Sequence, residues 1–165
     1  MRVNWKVIEE NFNLEDNFKV CDYLGSGAYG VVCAVFDEDT NSSIAIKKCK
    51  GIFQSKTMAK RMLREIRLLR LFDHRNIVKL KTILLPTDLT CFNSLYVAFE
   101  LMETDLAQII RSPQTLKDQH VQYFTYQLVQ ALKYLHDGNV VHRDIKYDPF
   151  SLFLNTFSLF LRLFL

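Results

Sequence analysis

The chain has 165 residues, 49% of them apolar and 24% charged, a globular composition that excludes wholesale disorder and fits about one domain of roughly 100–200 residues. Its net charge of +3 is too small for a dedicated nucleic-acid binder. The four cysteines, Cys21, Cys33, Cys49 and Cys91, lack paired close spacing and read as reduced, buried thiols, not as a disulfide frame or a zinc site.

Residues 1–15 form an N-terminal extension with no apolar run long enough for a signal peptide. Nowhere do eighteen apolar residues run together, so no membrane-spanning helix is expected. Residues 18–24 alternate as a strand, and 25–30 break it with glycine. Residues 31–36 form a second β-branched and aromatic run, and 43–49 a third. Asn41-Ser42-Ser43 matches a glycosylation sequon but reads as a plain turn between those strands. Over 57–69 the period changes: Met58, Met62, Ile66 and Leu69 repeat at helical spacing. Lys60, Arg61, Arg64, Arg67 and Arg70 fill much of the other surface and read as a solvated face, not as a docking patch. Two more strands are expected over 77–85 and 94–99, joined by a loop at 86–93.

From Thr104 the chain turns helical. A short helix at 106–110 stops before Pro113. Val121, Phe124, Leu128, Ala131, Leu132 and Leu135 then make an apolar stripe, with Gly138 placed just past its end. Five strands with one inserted helix, followed by helices, predict an α+β fold in two lobes. Residues 150–165 depart abruptly, with five Phe and six Leu in sixteen positions and no Gly or Pro.

Gly25-Ser26-Gly27-Ala28-Tyr29-Gly30-Val31-Val32 is a Gly-x-Gly-x-x-Gly-x-Val string. Glycines there let backbone N–H groups approach phosphate oxygens with no Cβ in the way. A dinucleotide-binding reading would need a helix directly after the glycines; a strand follows instead, and a plain glycine-rich hairpin stays open. In the third strand Ala45 and Lys47 share one face, and Ile44, Ile46 and Lys48 the other. Small Ala45 leaves room for a flat ring, and Lys47 sets a cation beside it, suited to the α/β-phosphates of a nucleotide. Glu65 lies on the apolar side of its helix, where a carboxylate is costly unless it meets a cation. Lys47 is its natural partner.

With His142-Arg143-Asp144-Ile145-Lys146 the set resembles protein kinases: glycine loop, strand lysine, helix glutamate and catalytic-loop string occur in the family's order. Gly27 to Val32, Arg64-Glu65-Ile66, the 101–106 stretch Leu-Met-Glu-Thr-Asp-Leu and Tyr123-Phe124-Thr125-Tyr126-Gln127 are similar to the mitogen-activated group, with cyclin-dependent kinases the nearest rival. The resemblance covers about residues 16–146. It implies a kinase-like N-lobe, a five-stranded antiparallel sheet plus one helix, and a hinge over 16–102. The first helices of an incomplete C-lobe would occupy 103–146, and a tail unlike kinases 147–165.

The resemblance also implies roles. Leu24, Gly25, Ser26, Gly27, Ala28, Tyr29, Gly30 and Val32 would roof ATP, Ala45 would face the adenine, and Lys47 would hold the α/β-phosphates and pair with Glu65. Phe99 falls at the gatekeeper position behind the adenine. Glu100 to Met102 would form the hinge, and Asp105 would face the ribose. Asp144 would accept a proton from the substrate hydroxyl, and Lys146 would steady the transferring γ-phosphoryl. Arg143 would answer a phosphorylated activation segment. A protein substrate, an upstream kinase, a cytoplasmic location (a nuclear one being compatible) and a monomer follow by the same analogy. No nucleic-acid or membrane partner is expected.

The sequence also departs from the family. The signature has a Mg²⁺-binding Asn five residues after the catalytic Asp, and here that position is Pro149. These residues hold no Asp-Phe-Gly, no Ala-Pro-Glu and no Thr-x-Tyr. Phosphoryl transfer is mostly positioning and charge neutralisation, and one lost electrostatic stabiliser typically costs roughly 10²–10³ in rate. The expectation is a truncated Ser/Thr protein kinase front half that binds ATP and has little activity. The alternatives are a catalytically dead ATP- or partner-binding short form, or a non-functional fragment from a missed splice or frame change near Tyr147.

Overall fold

The structure is a computed structural model, and it describes residues 12, 14–27, 30–84, 92–104 and 106–142. Five strands build one antiparallel sheet: β1 (Phe18–Gly27), β2 (Gly30–Asp37), β3 (Ser42–Lys50), β4 (Leu80–Leu84) and β5 (Ser94–Glu100), in the spatial order β1-β2-β3-β5-β4. Helix α1 (Lys56–Leu71) is inserted between β3 and β4, and α2 (Leu106–Arg111) and α3 (Asp118–Asp137) follow the sheet. This is the α+β arrangement of a kinase-like N-lobe and the start of a C-lobe. No helix among the described residues is long and apolar enough to cross a membrane.

The register puts the side chains on two faces. Val32 lies opposite Lys47, which lies opposite Val97; Ala45 lies opposite Phe99. That face joins α1 in one buried cluster, with Val32, Ala45, Cys49, Val97 and Phe99 meeting Met62 and Leu69. The other face carries Cys33, Val35, Ile44, Ile46, Tyr96 and Ala98, covered in part by Phe12, whose ring meets Tyr96 edge-on. The alternation expected for 43–49 is therefore a partition between two cores. Residue Asn41 takes a left-handed φ of 49° in the β2–β3 turn, and the Asp37 carboxylate accepts hydrogen bonds from the Asp39 N–H and the Thr40 hydroxyl. That geometry is the plain turn expected at Asn41.

Helix α1 starts at Ser55, whose hydroxyl accepts from the Met58 N–H, a side-chain N-cap. Helix α3 ends in a Schellman turn. The Val140 N–H donates to Leu135 O and the Asn139 N–H to His136 O, with Val140 packed on Leu135. Gly138 is the C-cap residue at φ −85°, while Asn139 carries the left-handed φ of 57°. The glycine marks the end of the helix, and the asparagine makes the reversal.

Three expectations are corrected. The strand expected over 77–85 begins only at Leu80. Asn76, Ile77 and Val78 are buried ahead of it, and Ile77 packs on Ala131 and Leu135 of α3; its β-branched run serves helix packing, not a ladder. Val121 of the α3 stripe is 53% exposed. Polar Gln127 is buried instead, because its amide oxygen accepts from Asn76 Nδ2 at 3.2 Å, which offsets desolvation. Cys21 is exposed, unlike buried Cys33 and Cys49; Cys91 lies outside the described residues.

Candidate functional site

The face of β3 that carries Lys47 points at α1. Lys47 is 1% exposed, and its Nζ donates to Glu65 Oε1 at 3.2 Å. The side chains of the pair are 2% and 10% exposed. Helical spacing places Glu65 one turn from Met62 and Leu69, both buried, so the same stripe that holds α1 to the sheet delivers the carboxylate to the lysine. The second oxygen, Glu65 Oε2, is buried with no hydrogen-bond partner. Burial pushes the Glu65 carboxyl above its ordinary pKa, and the Lys47 charge and hydrogen bond pull only part of the way back.

Cys49 sits one alternation along from Lys47. Burial pushes its thiol up to about 11, with Lys47 lowering and Glu65 raising it. Cys33, on the opposite face, is pushed up to about 12 by burial and by the Asp22 charge. Neither is a thiolate at neutral pH.

Around the ion pair lies an apolar floor. Val32, Ala45 and Phe99 belong to the buried cluster, and half-buried Leu24, Leu101 and Met102 pack against it. The register of β1 on β2 shifts between Tyr23 and Gly25; this bulge turns Leu24 toward the face of Val32. Leu101, inside the expected hinge of 100–102, packs against this cluster with Met102. Glu100 is half-buried, and its carboxylate accepts from the Lys79 N–H at 3.1 Å, so its side chain ties β5 to the residue before β4.

The glycine turn has a structural reason of its own. Gly30 lies opposite Gly27 on β1 and Cys49 on β3, at φ 154°. A Cβ there would stand 1.9 Å from the Lys48 carbonyl oxygen. Close approach of β3 by itself requires glycine at this position. Gly25 is buried and Ser26 exposed, the latter hydroxyl accepting from Tyr23 OH.

The structure thus brings together Leu24, Val32, Ala45, Lys47, Glu65, Phe99 and Met102, with Gly25, Ser26, Gly27 and Gly30 at the end of the β1–β2 hairpin. Ala28, Tyr29, Asp105, Arg143, Asp144 and Lys146 lie outside the described residues. Of the His-Arg-Asp string only His142 is described, and it is buried. Among the described residues no group of three or more His, Cys, Asp or Glu is placed to hold a metal ion. The arrangement offers a flat apolar surface, a fixed cation and a glycine turn, which suit a planar ring carrying an anionic chain.

Comparison with known proteins gives a family. A model of the protein kinase domain matches residues 18–153, past Lys146 and across Pro149. Mitogen-activated protein kinase 6 of Arabidopsis thaliana is 53% identical over 132 residues, 80% of this chain and 33% of that protein. Mitogen-activated protein kinase 1 of Oryza sativa subsp. japonica is 52% identical over the same shares. Mitogen-activated protein kinase 13 of Arabidopsis thaliana is 46% identical over 155 residues, 93% of this chain and 42% of that protein. The chain spans about a third of the length of the first two relatives.

Proposed function

The chain belongs to the protein kinase family, and on that premise we propose that it binds ATP on the Lys47 face of the sheet as the front part of a Ser/Thr kinase of the mitogen-activated type. The family reaction moves the ATP γ-phosphoryl to a protein Ser or Thr hydroxyl, with Mg²⁺ neutralising charge on the phosphates. One observation carries the nucleotide reading: a buried Lys47–Glu65 pair at 3.2 Å beside the apolar floor of Val32, Ala45 and Leu24. A buried lysine held by a buried carboxylate is expensive, and adjacent phosphates give it a use.

Residue roles follow the same proposal. Lys47 holds the α/β-phosphates. Glu65 holds Lys47 in place and does not touch the nucleotide. Ala45, Val32 and Leu24 enclose the adenine, and the backbone of 100–102 meets its edge. Asp144 takes the hydroxyl proton, with Lys146 and Arg143 beside it. Asp105 meets the ribose. A protein substrate, an upstream kinase and a cytoplasmic setting belong to the proposal for the whole protein. Among these 165 residues Pro149 stands where the family pattern has its metal-binding Asn, and no Asp-Phe-Gly is present. The chain as given is therefore read as holding nucleotide without efficient transfer.

Thermal unfolding of the soluble chain with and without Mg-ATP tests the binding. Ligand at one hundred times its Kd stabilises by about 2.7 kcal/mol, so an upward shift of several degrees is expected, lost in Lys47→Met. No shift at millimolar ATP overturns the reading. A phosphotransfer assay against Asp144→Ala is expected to show no difference between the two, and an Asp144-dependent signal refutes inactivity.

A further inference from the structure

The outward side of α3 is apolar and is left open among the described residues. Val121, Tyr126 and Val129 are 53%, 62% and 55% exposed. At 3.6 residues per turn they fall within an arc of about 140°. Between Asp118 and Lys133 the helix has no Asp, Glu, Lys or Arg, so this side carries no formal charge over about four turns. Helix α1 shows what a water-facing side looks like in this chain: Lys60, Arg64 and Arg67 are all exposed on it. An apolar helix side of this length without a charge marks a contact surface.

Residues 143–165 lie outside the described residues, and their sequence supplies a match. The five Phe of 150–165 stand at 150, 153, 157, 160 and 164. Alternating steps of three and four are the seam spacing of a helix that packs on another helix. Leu154 and Leu161 widen that side, while Ser151, Asn155, Ser158 and Arg162 fall away from it. Leu152, Leu159 and Leu163 make a separate line beyond the polar residues. Reach allows the contact. Seven residues separate His142 from Phe150, an extended stretch of up to about 26 Å, and α3, with 20 residues, is about 30 Å long. The turn at Asn139 has already reversed the chain, with Val140 packed on Leu135. A membrane surface as the partner would call for a polar face rich in Lys and Arg, and 150–165 has Arg162 alone.

We propose that residues 150–165 fold back as a helix whose phenylalanine side packs along Val121, Tyr126 and Val129 of α3. The contact covers the open side of α3 with a segment of the same chain. The Arg143 to Lys146 string is then held at both ends, at buried His142 and at Phe150. The contact is separate from the Lys47 face and does not depend on nucleotide binding.

Limited digestion of the 165-residue chain with chymotrypsin tests this, since the protease cuts after aromatic residues and leucine, and 150–165 is rich in both. Val129→Glu sets a charge under the tail, and cleavage within 150–165 should rise about tenfold or more over the wild type. Leu71→Glu makes the same change at a residue of α1 that is 76% exposed and should leave that cleavage unchanged. A second measurement needs no change in α3. The photo-cross-linker p-benzoylphenylalanine in place of Phe157 should attach, on irradiation, to 121–133 of the same chain. In place of Leu159, on the other side of the tail, it should not. Equally fast cleavage in the wild type and Val129→Glu, an equal rise in Leu71→Glu, or attachment from 157 to another segment would each overturn the proposal. So would a cross-link between two chains, which assigns the face to a second copy. Co-sedimentation of the chain with phosphatidylcholine–phosphatidylserine vesicles would also overturn it, because the tail would then belong to a membrane surface.

Discussion

Lys47 and Glu65 are costly separately and tolerable only together. Removing one leaves the other charge buried, which typically costs about 3–5 kcal/mol. Lys47→Met and Glu65→Gln should each show that loss in urea unfolding, and Lys47→Met with Glu65→Leu should recover most of it. The pH dependence has a definite sign. The folded pKa of Glu65 is raised, so its contribution is fully present below the ordinary carboxylate range and is lost as pH rises through the raised value. Lys47→Met removes the charge that pulls it down. The stability of that variant should therefore fall further over this interval than that of the wild type. Parallel stability curves would show that the pair is not coupled. Both partners were legible in the sequence, Lys47 from its strand face and Glu65 from its place on the apolar side of α1. The unpartnered Glu65 Oε2 was not, because only packing decides which carboxylate oxygen is shut away.

At the scale of the element, the ends of helices and hairpins carry the information. Asn139 reverses the chain after α3 at φ 57°, a region that costs a side chain other than Asn or Asp roughly 1–2 kcal/mol. Asn139→Gly should leave the midpoint unchanged or raised, and Asn139→Val should lower stability by about that amount in thermal unfolding. Element types followed from period: the α1 stripe and the strands around the glycine turn were readable because turn residues and apolar spacing are local signals. The start of β4 was not. Ile77 and Val78 have strand chemistry, but α3 covers Ile77 and so removes it from the ladder. Next to it, the hydrogen bond from Asn76 lets Gln127 be buried, while Val121 stays exposed.

Across the whole molecule, one joint ties the sheet to α3. Phe72 and His74 pack on the Tyr134 ring, edge-on and stacked respectively, and the Tyr134 hydroxyl accepts from the Asp73 N–H at 3.1 Å. Asn76 and Gln127 bond beneath. Tyr134→Phe keeps the ring and should cost about 1 kcal/mol; Tyr134→Ala should cost about 3 kcal/mol. If the joint couples the two parts, Tyr134→Ala should also broaden the unfolding transition or split it in two, whereas Tyr134→Phe keeps one transition. On the outer side of α3, Tyr126 and Val129 stay exposed, an apolar surface on an amphipathic helix.

Sequence alone pointed to the family, through residues whose meaning lies in order and spacing: the glycine turn, Lys47, Glu65 and the His142 to Lys146 string. It also gives Pro149 five residues after Asp144. Tertiary structure alone decided that Lys47 stands between Val32 and Val97, that Gly30 is required by the approach of β3, and that Cys21 is exposed while Cys49 is buried. It alone left Val121, Tyr126 and Val129 of α3 exposed. Spacing is a one-dimensional property that survives in the bare sequence. Burial and register arise from contacts between distant segments, and these exist only once the strands have paired and the helices have packed.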